Sequence, residues 1–170
     1  MITKNSAFTL IELLVVVLIV GILSAIALPR YQLTVDKSRL SKYFPVLSNI
    51  RQAQEIYYMT QSAYSKNIND LDVDISNLCK NVSSNKILYN CQDDLFIDID
   101  YVVNDNHSVR LLYCPGAGTM GAGREECFSK AVLDLNFYFS QSNTMKNNEI
   151  RCNQQHNSER GDRLCKTFTF

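Results

Sequence analysis

One uninterrupted apolar run constrains this chain more than any other feature. Phe8 to Pro29 is 22 residues, 17 of them aliphatic, Ala or Phe, with Glu12 as the single charge. As a helix rising ~1.5 Å per residue it reaches roughly 33 Å, enough to cross the ~30 Å hydrocarbon core of a bilayer. A core helix of a soluble domain is seldom that long and apolar on every side. Ahead of it stand seven residues, Met1 to Ala7, whose only charged side chain is Lys4. A basic stub before an apolar run favours a cytoplasmic N-terminus, so the rest of the chain is expected beyond the membrane.

Two fates compete for such a segment. As a secretory signal peptide it would use Lys4 as its basic end, Leu13 to Leu23 as its apolar centre and Ala25-Ile26-Ala27 as a small-residue cleavage pattern. Cleavage after Ala27 would release a secreted, disulfide-rich binding domain. Glu12 argues for the other fate, a helix kept in the mature protein. A carboxylate costs ~2.5–3.5 kcal/mol at the centre of a membrane helix and less near its end. A disposable peptide gains nothing from that cost, whereas an acid inside a membrane calls for a partner.

The stretch Ala7-Phe8-Thr9-Leu10-Ile11-Glu12-Leu13-Leu14, continued by Gly21-Ile22-Leu23-Ser24-Ala25-Ile26-Ala27-Leu28-Pro29-Arg30-Tyr31, resembles the start of type IV prepilins and pseudopilins. The likeness covers about the first 60 residues. It departs at Ala7, where the family usually has glycine before the cleavage point. The resemblance implies that a prepilin peptidase cuts between Ala7 and Phe8 and methylates the new Phe8 amine. It implies that Glu12 pairs with the N-terminal amine of a neighbouring subunit, and that filament packing loosens the helix between Gly21 and Pro29. An ordinary kinked membrane helix accounts for Gly21 and Pro29 equally well in the isolated subunit. The expected partners are other pilin subunits, the peptidase, an inner-membrane assembly platform and membrane lipid before assembly. The expected product is an extracellular pilus, with a short secretion pseudopilus as the rival.

Beyond Tyr31 the apolar pattern becomes a stripe. Leu33, Leu40, Tyr43, Leu47, Ile50, Gln54 and Tyr57 fall at steps of three, four or seven, broken only by Gln54. Pro45 is expected to bend this helix without ending it, giving a nearly continuous helix from Phe8 to about Gln61. The division expected is a leader over 1–7, a membrane or filament-core half-helix over 8–30, an amphipathic half over 31–62 and a head over 63–170. In the head, Leu95 to Val103, His107 to Tyr113 and Leu133 to Phe139 alternate as half-buried strands, with Asn104-Asp105-Asn106 as a hairpin turn. Phe168 to Phe170 could add an edge strand. A small antiparallel sheet on an amphipathic helix is an α+β fold.

All six cysteines, Cys79, Cys91, Cys114, Cys127, Cys152 and Cys165, lie in the head. An even count facing an oxidising space implies disulfides. Fifteen connectivities exist, and the short separations favour Cys79–Cys91, Cys114–Cys127 and Cys152–Cys165, each worth roughly 3 kcal/mol. No two cysteines stand at zinc-finger spacing. Asp70, Asp72 and Asp74 alternate with Leu71, Val73 and Ile75, but the loop lacks the glycine and terminal glutamate of a calcium hand, so a solvated edge is expected. Gly116-Ala117-Gly118-Thr119-Met120-Gly121 matches a dinucleotide-loop pattern without the βαβ unit such a loop serves. Seventeen basic against 17 acidic residues leave no electrostatic footprint for nucleic acid. Without a nucleophile elbow, a metalloprotease helix or a spaced Cys/His pair, neither enzyme activity nor a cofactor or metal is expected.

Overall fold

The computed structural model describes residues 8–81, 88–92, 94–103, 106–116, 127, 131–141 and 149–168. The leader, Asn104-Asp105 of the expected turn, all but Gly116 of the glycine-rich run, and Thr169-Phe170 lie outside them. Two compact units make up the chain, divided between Asp36 and Lys37.

Helix α1 spans Leu10–Ser41 and α2 spans Phe44–Gln61. The helical path covers 52 residues, Leu10–Gln61, close to the expected Phe8 to Gln61, and it resumes at Phe44, beside Pro45, after a two-residue turn. Proline has no N–H for the carbonyl four residues back, and its ring crowds that carbonyl. The chain answers with a tighter turn, Tyr43 N–H donating to the Leu40 carbonyl at 3.0 Å, before Leu47 N–H resumes the helix on Tyr43 at 2.9 Å. Pro45 then stands in the first turn of α2, where a missing donor costs nothing.

The head is a six-stranded antiparallel sheet whose spatial order is the chain order. Its strands are β1 (Cys79–Asn81), β2 (Leu88–Cys91), β3 (Leu95–Val103), β4 (Asn106–Tyr113), β5 (Leu133–Tyr138) and β6 (Ile150–Gln154). The register slips between Asp98 and Tyr101, so β3 carries a bulge opposite β4. Leu40, Tyr43, Leu47 and Ile50 are fully buried from the helical side, and Leu95, Ile97, Ile99, Val109, Leu111, Leu133 and Leu135 from the sheet side. The steps of three and four thus turn one helical face onto one sheet face.

Gln54, the polar break in the stripe, is fully buried and bonded throughout. Its amide nitrogen donates to the carbonyls of Ser65 at 2.7 Å and Ile99 at 3.1 Å, and its oxygen accepts from Ser65 N–H at 2.8 Å. Glu55 beside it accepts from the Ser140 N–H at 2.5 Å and from the Ser140 hydroxyl. Tyr57, placed on the same stripe by spacing, is only half-buried.

One sequence expectation needs correcting. The strands were expected to be half-buried, yet every residue of β5 is buried. The polar face carries Asn90, Asp98, Arg110, Asp134 and Asn136, all buried. Arg110 lies 3.4 Å from the Tyr101 ring centre and 3.5 Å from an Asp98 oxygen. A second apolar cluster of Phe96, Leu112, Ala131 and the Cys114–Cys127 pair helps to exclude water from this face. At the C-terminus a helix, unforeseen in the sequence, precedes the expected edge strand; Phe168 follows as its extended C-cap, and the other two residues of that strand lie outside the described ones. Helix α3, Glu159–Thr167, starts on Ser158, whose hydroxyl accepts from Gly161 N–H at 3.1 Å. A Cβ at Gly161 would sit 1.9 Å from the Val132 carbonyl oxygen, so the approach of α3 to the sheet requires glycine there. Disulfides join Cys79 to Cys91, Cys114 to Cys127 and Cys152 to Cys165.

Candidate assembly site on the N-terminal helix

Thr9 and Glu12 build the first turn of α1 between them. Glu12 Oε2 accepts from Thr9 N–H at 2.8 Å and from the Thr9 hydroxyl at 2.6 Å, while Glu12 N–H donates back to Thr9 Oγ1 at 3.3 Å. This is a reciprocal capping box, threonine at the cap and glutamate three residues on. Both donors fall on Oε2, and among the described residues none donates to Oε1. The carboxylate therefore has one oxygen held by its own helix and one available to another molecule. Sequence reasoning singled out Glu12 and missed Thr9, although the T-x-x-E spacing was there to be read.

Around this turn nothing among the described residues covers the apolar side chains. Phe8 is 79% exposed and Leu10 82%, and the large residues from Ile11 to Leu28 are all exposed. The helix is long and apolar enough to cross a membrane, with none of its most apolar window buried. A contiguous apolar surface of this extent marks an interaction with lipid or protein. Gly21 and Pro29 both lie within α1 as helix. A Cβ at Gly21 would meet nothing within 4 Å, so packing inside one chain does not demand glycine there. Ala7, the other expected cleavage residue, is outside the described residues, while the six cysteines belong to the head. Among the described residues no group of three or more His, Cys, Asp and Glu is placed to hold a metal ion.

Residues 2–28 match the family described as the prokaryotic N-terminal methylation motif. Over this N-terminal segment the chain is similar to type IV pilins and fimbrial proteins. It is 44% identical over 60 residues to the fimbrial protein EcpC of Eikenella corrodens, covering 35% of this chain and 39% of that protein. Over 65 residues it is 37% identical to the type IV major pilin protein PilE1 of Neisseria gonorrhoeae, covering 38% of this chain and 39% of that one. The type IV major fimbrial protein FimA of Dichelobacter nodosus is 45% identical over 51 residues, covering 30% and 33%. The chain thus spans about two fifths or less of the length of these relatives. No solved structure matches it. The pilin resemblance is confined to the N-terminal part, and the head stands on its own residues.

Proposed function

We propose that this chain is a structural subunit of a type IV pilus, assembled through α1 and without catalytic activity of its own. The observation that carries the reading is a wholly exposed apolar helix with one carboxylate four residues after Phe8. In lipid that surface is satisfied except at Glu12; in a filament core it would be satisfied by the same helix of other copies. Cleavage between Ala7 and Phe8 by a prepilin peptidase would remove Lys4 and create a cationic amine at Phe8, which is then methylated. That amine, from a neighbouring copy, is the donor that Glu12 Oε1 lacks. A unit pair at ~4 Å gains about 4 kcal/mol at an effective dielectric near 20, before desolvation is counted. Pairing would thus make leaving the bilayer favourable, with an assembly platform presenting one subunit to the next.

On this reading residues 1–7 are the leader and 8–30 anchor the precursor in the inner membrane with its N-terminus cytoplasmic. Residues 31–62 join the anchor to the head over 63–170, which is carried to the outside in the fibre. Gly21 and Pro29 would be the places where the helix yields on packing. Mass spectrometry of the native mature chain tests this directly. A start at Phe8 with one added methyl on the amine is expected; a start at Leu28 would remove Glu12 and end the argument.

A further inference from the structure

Alongside α2 runs an open groove of about 570 Å³, floored by Ala53, Ile56, Tyr57, Leu71 and Val73. Ile56 is 65% exposed, and Met59, one turn on, is 82% exposed. One wall carries Asp70, Asp72 and Asp74, all exposed, and between Lys66 and Lys80 the chain has no other charge. The opposite balance occurs at the end of α1. Lys37, Arg39 and Lys42 are exposed, with no acid among residues 37–42. Lys37 is held against the Thr167 carbonyl at 3.2 Å and Lys42 against the Gln92 side chain at 3.2 Å, so both ends of this basic row are fixed on the head.

We infer that the groove is a docking site for the basic row of a second copy of this chain. The inference rests on the filament reading above and names one head surface that would join neighbouring subunits. Charge complementarity selects the occupant, since three carboxylates and exposed aliphatic surface on one patch face three cations on another. Arg39 and Ile56 are 17 positions apart along the helical path, roughly 25 Å at 1.5 Å per residue. The centres of the two patches therefore lie well apart on one molecule, at different levels along the helical path. A contact between unlike patches is heterologous and repeats from copy to copy, the kind that builds rings or open helices.

The test is cysteine cross-linking of the full-length protein in its membrane fraction. Arg39→Cys and Asp72→Cys in one chain should give a ladder of covalent multimers under mild oxidation, and neither single substitution should. Asp70→Lys/Asp72→Lys/Asp74→Lys should cut sheared-fibre yield about 10-fold, and adding Lys37→Glu/Arg39→Glu/Lys42→Glu should restore most of it. Absence of the ladder, or a wild-type yield from the reversed triple variant, overturns the contact. A ladder without any surface fibre supports the contact and counts against the pilus reading instead, so the two failures are distinguishable.

Discussion

The N-terminal helix and the head solve opposite problems. In the head, several polar groups set among apolar side chains find partners within the chain. Gln54 has its three bonds, Tyr43 donates through its hydroxyl to the Gln92 carbonyl at 3.0 Å, and Arg110 lies between Tyr101 and Asp98. In residues 8–28 Thr9 and Glu12 answer each other in the first turn, and among the described residues the apolar surface is left exposed. One region completes its fold alone. The other is folded as a helix yet unfinished as a surface, and its remaining free energy is available to lipid or to other copies.

The largest way to break this contrast is at Glu12. Glu12→Val is expected to leave membrane insertion intact and to abolish surface fibres, more than a 10-fold loss in sheared-fibre yield, with the head's thermal unfolding unchanged. Normal fibres from that variant would sink the pairing mechanism. The reverse pattern is expected from Gly161→Ala, whose new methyl collides with the Val132 carbonyl. Overpacking of this kind costs about 3 kcal/mol, read as a lowered Tm of the full chain in detergent. Gln54→Leu should cost about 2 kcal/mol by leaving the Ser65 N–H and the Ser65 and Ile99 carbonyls without a partner, measured by the same melt.

The smallest expected effect concerns acid. Burial pushes the Asp134 carboxyl above its ordinary value, opposed by hydrogen bonds from Asn153, Asn136 and Gln155 and by the Arg110 charge. A raised folded value means that the folded head holds this proton more tightly than the unfolded chain. The stabilisation is complete below the ordinary carboxylate range and is lost as pH rises through the raised value. Asp134→Asn should flatten that part of the Tm-against-pH curve. An unchanged slope would assign the acid dependence to other carboxylates.

Legibility in the sequence followed the same contrast. Residues 8–29 could be read because a 22-residue apolar run has few physical solutions. The stripe Leu40, Tyr43, Leu47, Ile50 and the alternation in β3, β4 and β5 could be read because each is a regular periodicity of apolar side chains. Helix α3 could not, since Leu164 is the only large apolar side chain it buries and its surface is tied by Glu159–Arg163 and Asp162–Lys166. The short β1 and β2 have no alternation long enough to register. Nor does alternation say whether the polar face is covered, which is why Asp98, Arg110 and Asp134 were expected half-exposed. At the candidate site Glu12 was conspicuous as a charge among aliphatics, while Thr9 was passed over because a threonine disturbs no hydropathy pattern.

The order of the sheet has a kinetic consequence. Each strand pairs with the one just before it in the chain, and each disulfide closes a loop of only 12 or 13 residues. Pairings this local need little loop closure before they are rewarded, which is the condition for rapid folding. On the proposed reading, a head passed through the membrane after its N-terminal anchor would zip up strand by strand as it emerged, with each cysteine meeting its partner before the next pair arrived.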